Sequence, residues 1–253
     1  MRRFKIDGRA INQNSAVITG SDANHIVNVL RLKAGGRVVL FDGAGREYAA
    51  VIAEIRRAEV RLSIEARRRC QVESPLQLTV AQGFLKDKKM DTLIRQLTEL
   101  GIRRWIPYFG ARSVPRPDTQ RLAKRMNRWR KIADEALKQC RRAQSPKIET
   151  AADFSEMLRL SDAAAVKLIF WEAETSAFPE GNRVAQREHP DVFIILGPEG
   201  GLTAEEIHQA RQAGFQPVSL GPRILRAETA SVAAITLAQY LFGDLGRGRP
   251  SDP

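Results

Sequence analysis

The sequence predicts an α/β protein in two parts: a small β-barrel with one helix over residues 1–70, then a parallel α/β sheet over 71–246, with 247–253 as a tail. Three observations predict it. Charged and apolar residues alternate through the first part, as half-buried strands require. Strand and helix patterns alternate from about residue 77, the rhythm of βα units and a parallel sheet. Between them, RRRCQVESPLQ (67–77) is polar, carries Pro75 and breaks the pattern, which places a boundary there.

In the first part, VVLFDG (38–43) and AGREYAAVIAEI (44–55) read as strand, glycine-containing turn, strand. EVRLSIEA (59–66) alternates charged and apolar residues as a further strand. A short helix is expected over NHIVNVLRL, capped by Ser21 or Asp22, with Ile26, Val27 and Leu30 on one face.

In the second part, LQLTVAQG is a strand. KKMDTLIRQLTELG is a helix, with Met90, Leu93, Ile94, Leu97 and Leu100 at helical spacing and Gly101 as its stop. RRWIPYF is a strand, and residues 119–142 form a long basic helix. KLIFWEA (167–173) and DVFIILG (191–197) are continuous apolar runs, the mark of strands buried on both faces. TAEEIHQARQAG is a helix ending at Gly214, PVSLG a short strand, and TASVAAITLAQYLFGDL an apolar last helix. GRGRPSDP reads as a disordered tail.

The chain carries 41 Lys+Arg against 29 Asp+Glu, a formal charge of +12. Such an excess points to a polyanionic partner, nucleic acid or an anionic membrane surface. No apolar run approaches the roughly 18–20 residues of a membrane span. The N-terminus, MRRFKIDGRAINQ, lacks the apolar stretch of a signal peptide. Cys70 and Cys140 make neither a disulfide framework nor a zinc site, which fits a reducing cytoplasm. There is no HExxH and no CxxC, and His25, His189 and His208 lie far apart, so no metal is expected.

The chemistry gathers late in the chain. In LGPEGGLTAEEI (196–207), Thr203 and Glu206 form a capping box that starts a helix just after Gly201. Gly197, Gly200 and Gly201 let the backbone approach a ligand or adopt positive φ. The turn is neither GxGxxG nor a P-loop, so neither a dinucleotide nor a nucleoside triphosphate is implied. SLGPRILRAETA (219–230) repeats the logic: a short strand, Leu-Gly-Pro, then a loop into a helix, with Glu228 or Thr229 available as its cap. Two such turns at the C-terminal ends of strands expected to be adjacent lie where an open α/β sheet binds its ligand.

This pair of loops resembles the cofactor-binding signature of the SPOUT-class methyltransferases, and more narrowly the RsmE family of 16S ribosomal RNA uridine-N3 methyltransferases. HIVNVLRLKAGGRVVLFDGAG (25–45), KDKKMDTLIRQLTELGI (86–102) and RWRKIADEALKQCRRAQSPKI (128–148) resemble the family in the same order. The resemblance implies a PUA-like RNA-binding barrel, a C-terminal domain with a deep trefoil knot, S-adenosyl-L-methionine as cofactor, and a homodimer acting on 16S rRNA of the small ribosomal subunit. Its cofactor lining would be Leu196, Gly197, Glu199, Gly200, Gly201, Leu220, Gly221, Ile224, Leu225 and Ala230.

For the transfer itself, N3 of uracil is a weak nucleophile until it loses its proton. Arg226 is the candidate to stabilise the developing charge, with Glu228 to position Arg226 or accept the proton. The helix over 121–142 carries nine Lys/Arg against two acids, with Leu122, Met126, Trp129, Ala133, Ala136, Leu137 and Cys140 as its apolar stripe. Its charged face suits a phosphate backbone. Where the family reads Gln-Ser-Gly-Arg, this chain reads Gln139-Cys140-Arg141-Arg142, and Arg142 matches the family arginine. His25 and Arg31 would face RNA by the same resemblance, joined by Arg2, Arg3, Arg9 and Lys86. The competing readings are a SPOUT enzyme acting on another base or a ribose 2′-hydroxyl, and a non-catalytic ribosome-assembly factor; intact glycines in both loops argue against the latter.

Overall fold

A computed structural model describes residues 2–57, 59–114, 116–161, 163–178 and 191–248. The chain divides into two units: Met1–Glu73 with Leu137–Ser145, and Ser74–Ala136 with Pro146–Pro253. The division follows Glu73, three residues beyond the expected boundary, and the expected contiguous second domain gives up 137–145 to the first. Packing explains the excursion: Leu137 and Ala143 bury themselves against Phe41 and Cys70, and Gln144 bridges to Gly43 and Ala44.

In the first unit, β1 (Arg2–Lys5), β2 (Ile11–Asn12), β3 (Ser15–Thr19), β4 (Arg37–Phe41), β5 (Arg46–Arg56) and β6 (Glu59–Arg69) form one sheet in the order β1-β4-β5-β6-β3-β2. β1 and β4 are parallel and the other pairs antiparallel. Among the described residues no pairing joins β1 to β2, so the sheet order begins at β1 and ends at β2. Its apolar face buries Phe4, Ile18, Leu40, Ile52 and Leu62.

The expected helix starts earlier and is less regular. α1 (Gly20–Asn24) begins after Thr19 rather than at Ser21 or Asp22. The chain then widens over His25–Val29, where Leu30 N–H donates to the His25 carbonyl at 2.9 Å, a five-residue step. The wide turn keeps Ile26 fully buried, with Val27 and Leu30 packed beside it.

The second unit is a parallel sheet of seven strands: β7 (Gln77–Gly83), β8 (Arg104–Phe109), β9 (Lys147–Ile148), β10 (Ala152–Asp153), β11 (Val166–Phe170), β12 (Asp191–Leu196) and β13 (Gln216–Val218). Their order is β10-β8-β7-β12-β11-β13, with β9 also on β8. The helices are α2 (Lys89–Glu99), α3 (Thr119–Cys140), α4 (Phe154–Arg159), α5 (Ala204–Gln212) and α6 (Ala227–Phe242). The apolar runs of β7 and β12 divide by alternation between two cores. Leu78, Val80, Val192, Ile194 and Leu196 face one; Ala81, Phe193 and Ile195 face the other. Gly101 and Gly214 stop α2 and α5 in left-handed conformations, φ +85° and +84°. Residues 249–253 of the expected tail lie outside the described residues.

One topological expectation is corrected. β12 and β13, which lead into the two Leu-Gly-Pro turns, are not neighbours: β11 lies between them and pairs with both. A strand that separates two loops brings its own C-terminal end into the space they enclose.

Candidate active site

The turn after β12 and the loop after β13 open on one cavity of about 560 Å³. Leu196, Gly197, Glu199, Gly200, Gly201, Leu220, Gly221, Ile224, Leu225, Arg226, Glu228 and Ala230 all line it. The end of β11 adds Phe170, Trp171 and Glu172, and the start of α2 adds Lys89; neither set was read from the sequence. The signal for Glu172 was present, a carboxylate directly after an apolar strand run at the ligand-binding end of a parallel sheet.

Local chemistry builds each wall. Thr203 caps α5 and Glu206 closes the box, its carboxylate accepting from Thr203 N–H at 2.8 Å and from Ala111 N–H at 2.9 Å. The turn before it needs Gly201, at φ +72°, where a Cβ would also stand 2.6 Å from Glu172 Oε1. Glu172 has no hydrogen-bond or ion-pair partner among the described residues, and neither does the Arg226 side chain. In the second loop the backbone N–H groups of Ile224 and Leu225 are likewise unpaired among the described residues. α6 begins after Arg226 with no side-chain cap, so neither Glu228 nor Thr229 serves as one.

The charges of the cavity meet at Lys89. Its Nζ lies 3.2 Å from Glu199 Oε1 and 3.3 Å from Glu228 Oε2. The second contact is an ion pair without hydrogen-bond geometry, since Glu228 Oε2 is enclosed and makes no hydrogen bond. The Glu199 carboxylate, and after it Glu228, raises Lys89 above its ordinary pKa. Burial pushes Glu199 upward, but the Lys86 N–H and the Lys89 ammonium outweigh it and hold the carboxyl below its usual range. The expected alternative, Glu228 positioning Arg226, is not what the structure pairs: Glu228 faces Lys89.

Neither Cys70 nor Cys140 lines the cavity. Burial pushes the Cys70 thiol up to about 11. Among the described residues no cluster of His, Cys, Asp and Glu is arranged as a metal requires, and no helix is long and apolar enough to cross a membrane.

A family model described as an RNA methyltransferase domain matches residues 72–239, and one described as an RNA methyltransferase PUA domain matches residues 18–65. The ribosomal RNA small subunit methyltransferase E of Bacillus subtilis is 32% identical over 235 residues, covering 88% of this chain and 89% of its own length. The chain belongs to the RsmE family of RNA methyltransferases.

Solved structures agree with the family. A ribosomal RNA small subunit methyltransferase E from Neisseria gonorrhoeae, bound to S-adenosyl methionine, is 30% identical with a TM-score of 0.84, covering 97% of this chain and 99% of its own. A methyltransferase from Legionella pneumophila in complex with the cofactor SAM is 31% identical with a TM-score of 0.86, covering 96% and 98%.

The positions expected to meet RNA, some matched to the family and some chosen for charge and place, separate into two groups. His25, Arg31, Lys86 and Arg9 are exposed. Arg31 sits at φ +52°, and Arg9 pairs with Asp7 at 2.6 Å. Arg3 and Arg142 are instead built into the first unit. Arg3 bonds Glu47 at 2.6 Å with its side chain 9% exposed, and it lies over the Phe41 ring. Arg142 bonds Glu73 at 3.0 Å with its side chain 5% exposed, while Glu73 also accepts from the N–H groups of Ala143 and Gln144. Burial, rather than a lack of donors, holds both guanidiniums away from a phosphate at the surface: Arg3 Nε is enclosed without a hydrogen-bond partner. Both positions form buried ion pairs, a role that neither the match of Arg142 to a family arginine nor the place of Arg3 near the N-terminus reveals.

Proposed function

We propose that this chain methylates N3 of a specific uridine in 16S rRNA, within the S-adenosyl-L-methionine-dependent methylation of small-subunit ribosomal RNA that its family carries out. One observation carries the reading: two separate loops, picked out for their glycines, line a single cavity together with Arg226.

The residues of the cavity fit S-adenosyl-L-methionine. Leu196, Leu220 and Leu225 offer apolar contact for an adenine and a thioether chain. The N–H groups of Ile224 and Leu225 suit the polar edge of a base, and the unpartnered Glu172 carboxylate suits hydroxyl or ammonium donors. The bound cofactor supplies an electrophilic methyl group on a sulfonium. Arg226, at the start of α6, stabilises the negative charge that builds on the uracil oxygens as N3 loses its proton. Glu228 holds the cavity wall against Lys89, and the N3 proton passes to water. Among the described residues no histidine lines the cavity to take it.

A homodimer belongs to the same reading. Leu237 and Tyr240, three residues apart on α6, and Ile224 in the cofactor loop are exposed apolar side chains of the kind a second copy would cover. The trefoil knot is carried with family membership, and the insertion of β12 between β7 and β11 is compatible with it. Arg9, His25, Arg31 and Lys86 remain the RNA contacts, and the cytoplasm is the compartment of the substrate.

The test incubates the protein with methyl-labelled S-adenosyl-L-methionine and small ribosomal subunits lacking the modification, then identifies the labelled nucleoside by mass. Label in 3-methyluridine at one site is expected. Label in another nucleoside refutes the N3 assignment; none, with no cofactor binding, supports the assembly-factor reading.

A further inference from the structure

One segment reaches both halves of the cavity. Gln82 is fully buried in β7, a strand whose neighbours in the sheet are apolar runs. Its amide N–H groups donate to the Gly197 carbonyl at 3.1 Å and the Gly83 carbonyl at 3.2 Å. Its Oε1 accepts from the Ser231 hydroxyl at 2.6 Å, and that hydroxyl also lies 2.8 Å from the Ala227 carbonyl in the first turn of α6. Only one orientation of the amide serves, since two carbonyls need its NH₂ and the hydroxyl needs its oxygen. One side chain thus joins the turn after β12 to the start of α6.

Seven residues on, Lys89 makes the same connection in ionic form, between Glu199 and Glu228. The Lys86 N–H strengthens it by donating to Glu199 at 3.0 Å. Among the described residues no hydrogen bond or ion pair joins the 197–201 turn directly to the 220–230 segment. The polar links between them run through Gln82 and Lys89. A buried amide where an aliphatic residue would pack is costly unless every group is satisfied. Here every group is satisfied, and two ligand-facing loops are the beneficiaries.

We propose that Gln82 and Lys89 are positioning residues of the cofactor site: they bracket the Pro-Glu-Gly-Gly turn and the start of α6, fix the spacing of the two loops, and so set cofactor affinity. The proposal rests on the S-adenosyl-L-methionine reading. Gln82 sets the inner end of the bracket, dry and insensitive to salt. Lys89 sets the outer end, partly exposed and open to screening.

Calorimetry with S-adenosylhomocysteine on the full chain tests it, beside cofactor KM and kcat for transfer to small subunits and thermal unfolding as a check on folding. S231A is expected to weaken S-adenosylhomocysteine about tenfold, the loss of roughly one hydrogen bond, and Q82M, which removes the bonds to Gly197, Gly83 and Ser231 together, at least as much. Because both break one link, the double variant Q82M/S231A should lose little more than the worse single variant. K89M should weaken binding at low salt, and K89R should restore it. In each variant cofactor KM should rise while kcat stays within about threefold. If Q82M fails to fold, S231A carries the test alone, because it removes one hydroxyl from a helix that accepts alanine. Folded variants with wild-type affinity, or additive losses from Q82M and S231A, overturn the bracket. Wild-type protein that binds no S-adenosylhomocysteine overturns the methyltransferase reading and the bracket with it.

Discussion

Gly83 has no room for a side chain. A Cβ there would stand 2.5 Å from the Pro198 backbone nitrogen, in the turn that lines the cavity. Backbone cannot yield as a flexible side chain can, so Gly83→Ala should cost about 1–3 kcal/mol in a denaturant titration, the usual range for overpacking. Arg226 is the opposite case, a side chain with nothing structural to do. Arg226→Ala should lower kcat by about 10²–10³, the scale of one lost charge-stabilising donor, while cofactor affinity by calorimetry changes little. Arg142 separates the two kinds of arginine. Arg142→Ala removes the buried cation that Glu73, itself 17% exposed, is paired with, so it should cost roughly 1–3 kcal/mol of stability and leave the salt dependence of RNA binding unchanged. An altered salt slope with intact stability would return Arg142 to the RNA surface.

At the scale of elements, α3 shows how one helix divides its duties. Met126, Trp129, Ala133 and Ala136 are buried, as their spacing predicts. Lys124 and Lys131 are exposed on the other side. Lys124→Gln with Lys131→Gln should reduce the slope of log affinity against log salt by about 2 if both meet phosphates. Filter binding to ribosomal RNA over a salt series reads the slope directly.

The junction of β8 and β9 carries a pH dependence. Partial burial pushes Glu149 upward, but Lys147 at 2.7 Å and Arg104 at 2.6 Å outweigh it and hold the carboxyl below its ordinary value of 4.5. A depressed folded pKa means stability that is present above 4.5 and lost as pH falls through the folded value. Glu149→Gln should therefore lower stability at neutral pH, where the carboxylate is paired, and flatten the acid limb, so that the two stability curves converge as pH falls below about 4.5. Thermal melts over that range measure the difference.

At the scale of the whole molecule, the charge of +12 and the cavity describe one task, binding a polyanion and acting on it. Transfer should therefore be more sensitive to salt than cofactor binding is, since the RNA term releases counterions and the cofactor term does not. Comparing the salt dependence of cofactor affinity and of RNA affinity on the same preparation tests this. Equal slopes would place the charge excess outside substrate recognition.

The sequence by itself determined the α/β rhythm, the two apolar strands with a core on each face, and the glycine turns that end in a cavity. Those depend on local periodicity and on φ angles that glycine adopts freely, and both act within a few residues. Tertiary structure alone decided the rest. It inserted β11 between β12 and β13, and so brought Glu172 to the cavity. It returned 137–145 to the first unit and buried Arg3 and Arg142 against Glu47 and Glu73. It set Gln82 and Lys89 between loops more than a hundred residues away. A buried charge and a buried amide take their meaning from a distant partner, and partner choice depends on distances in space that no spacing along the chain encodes.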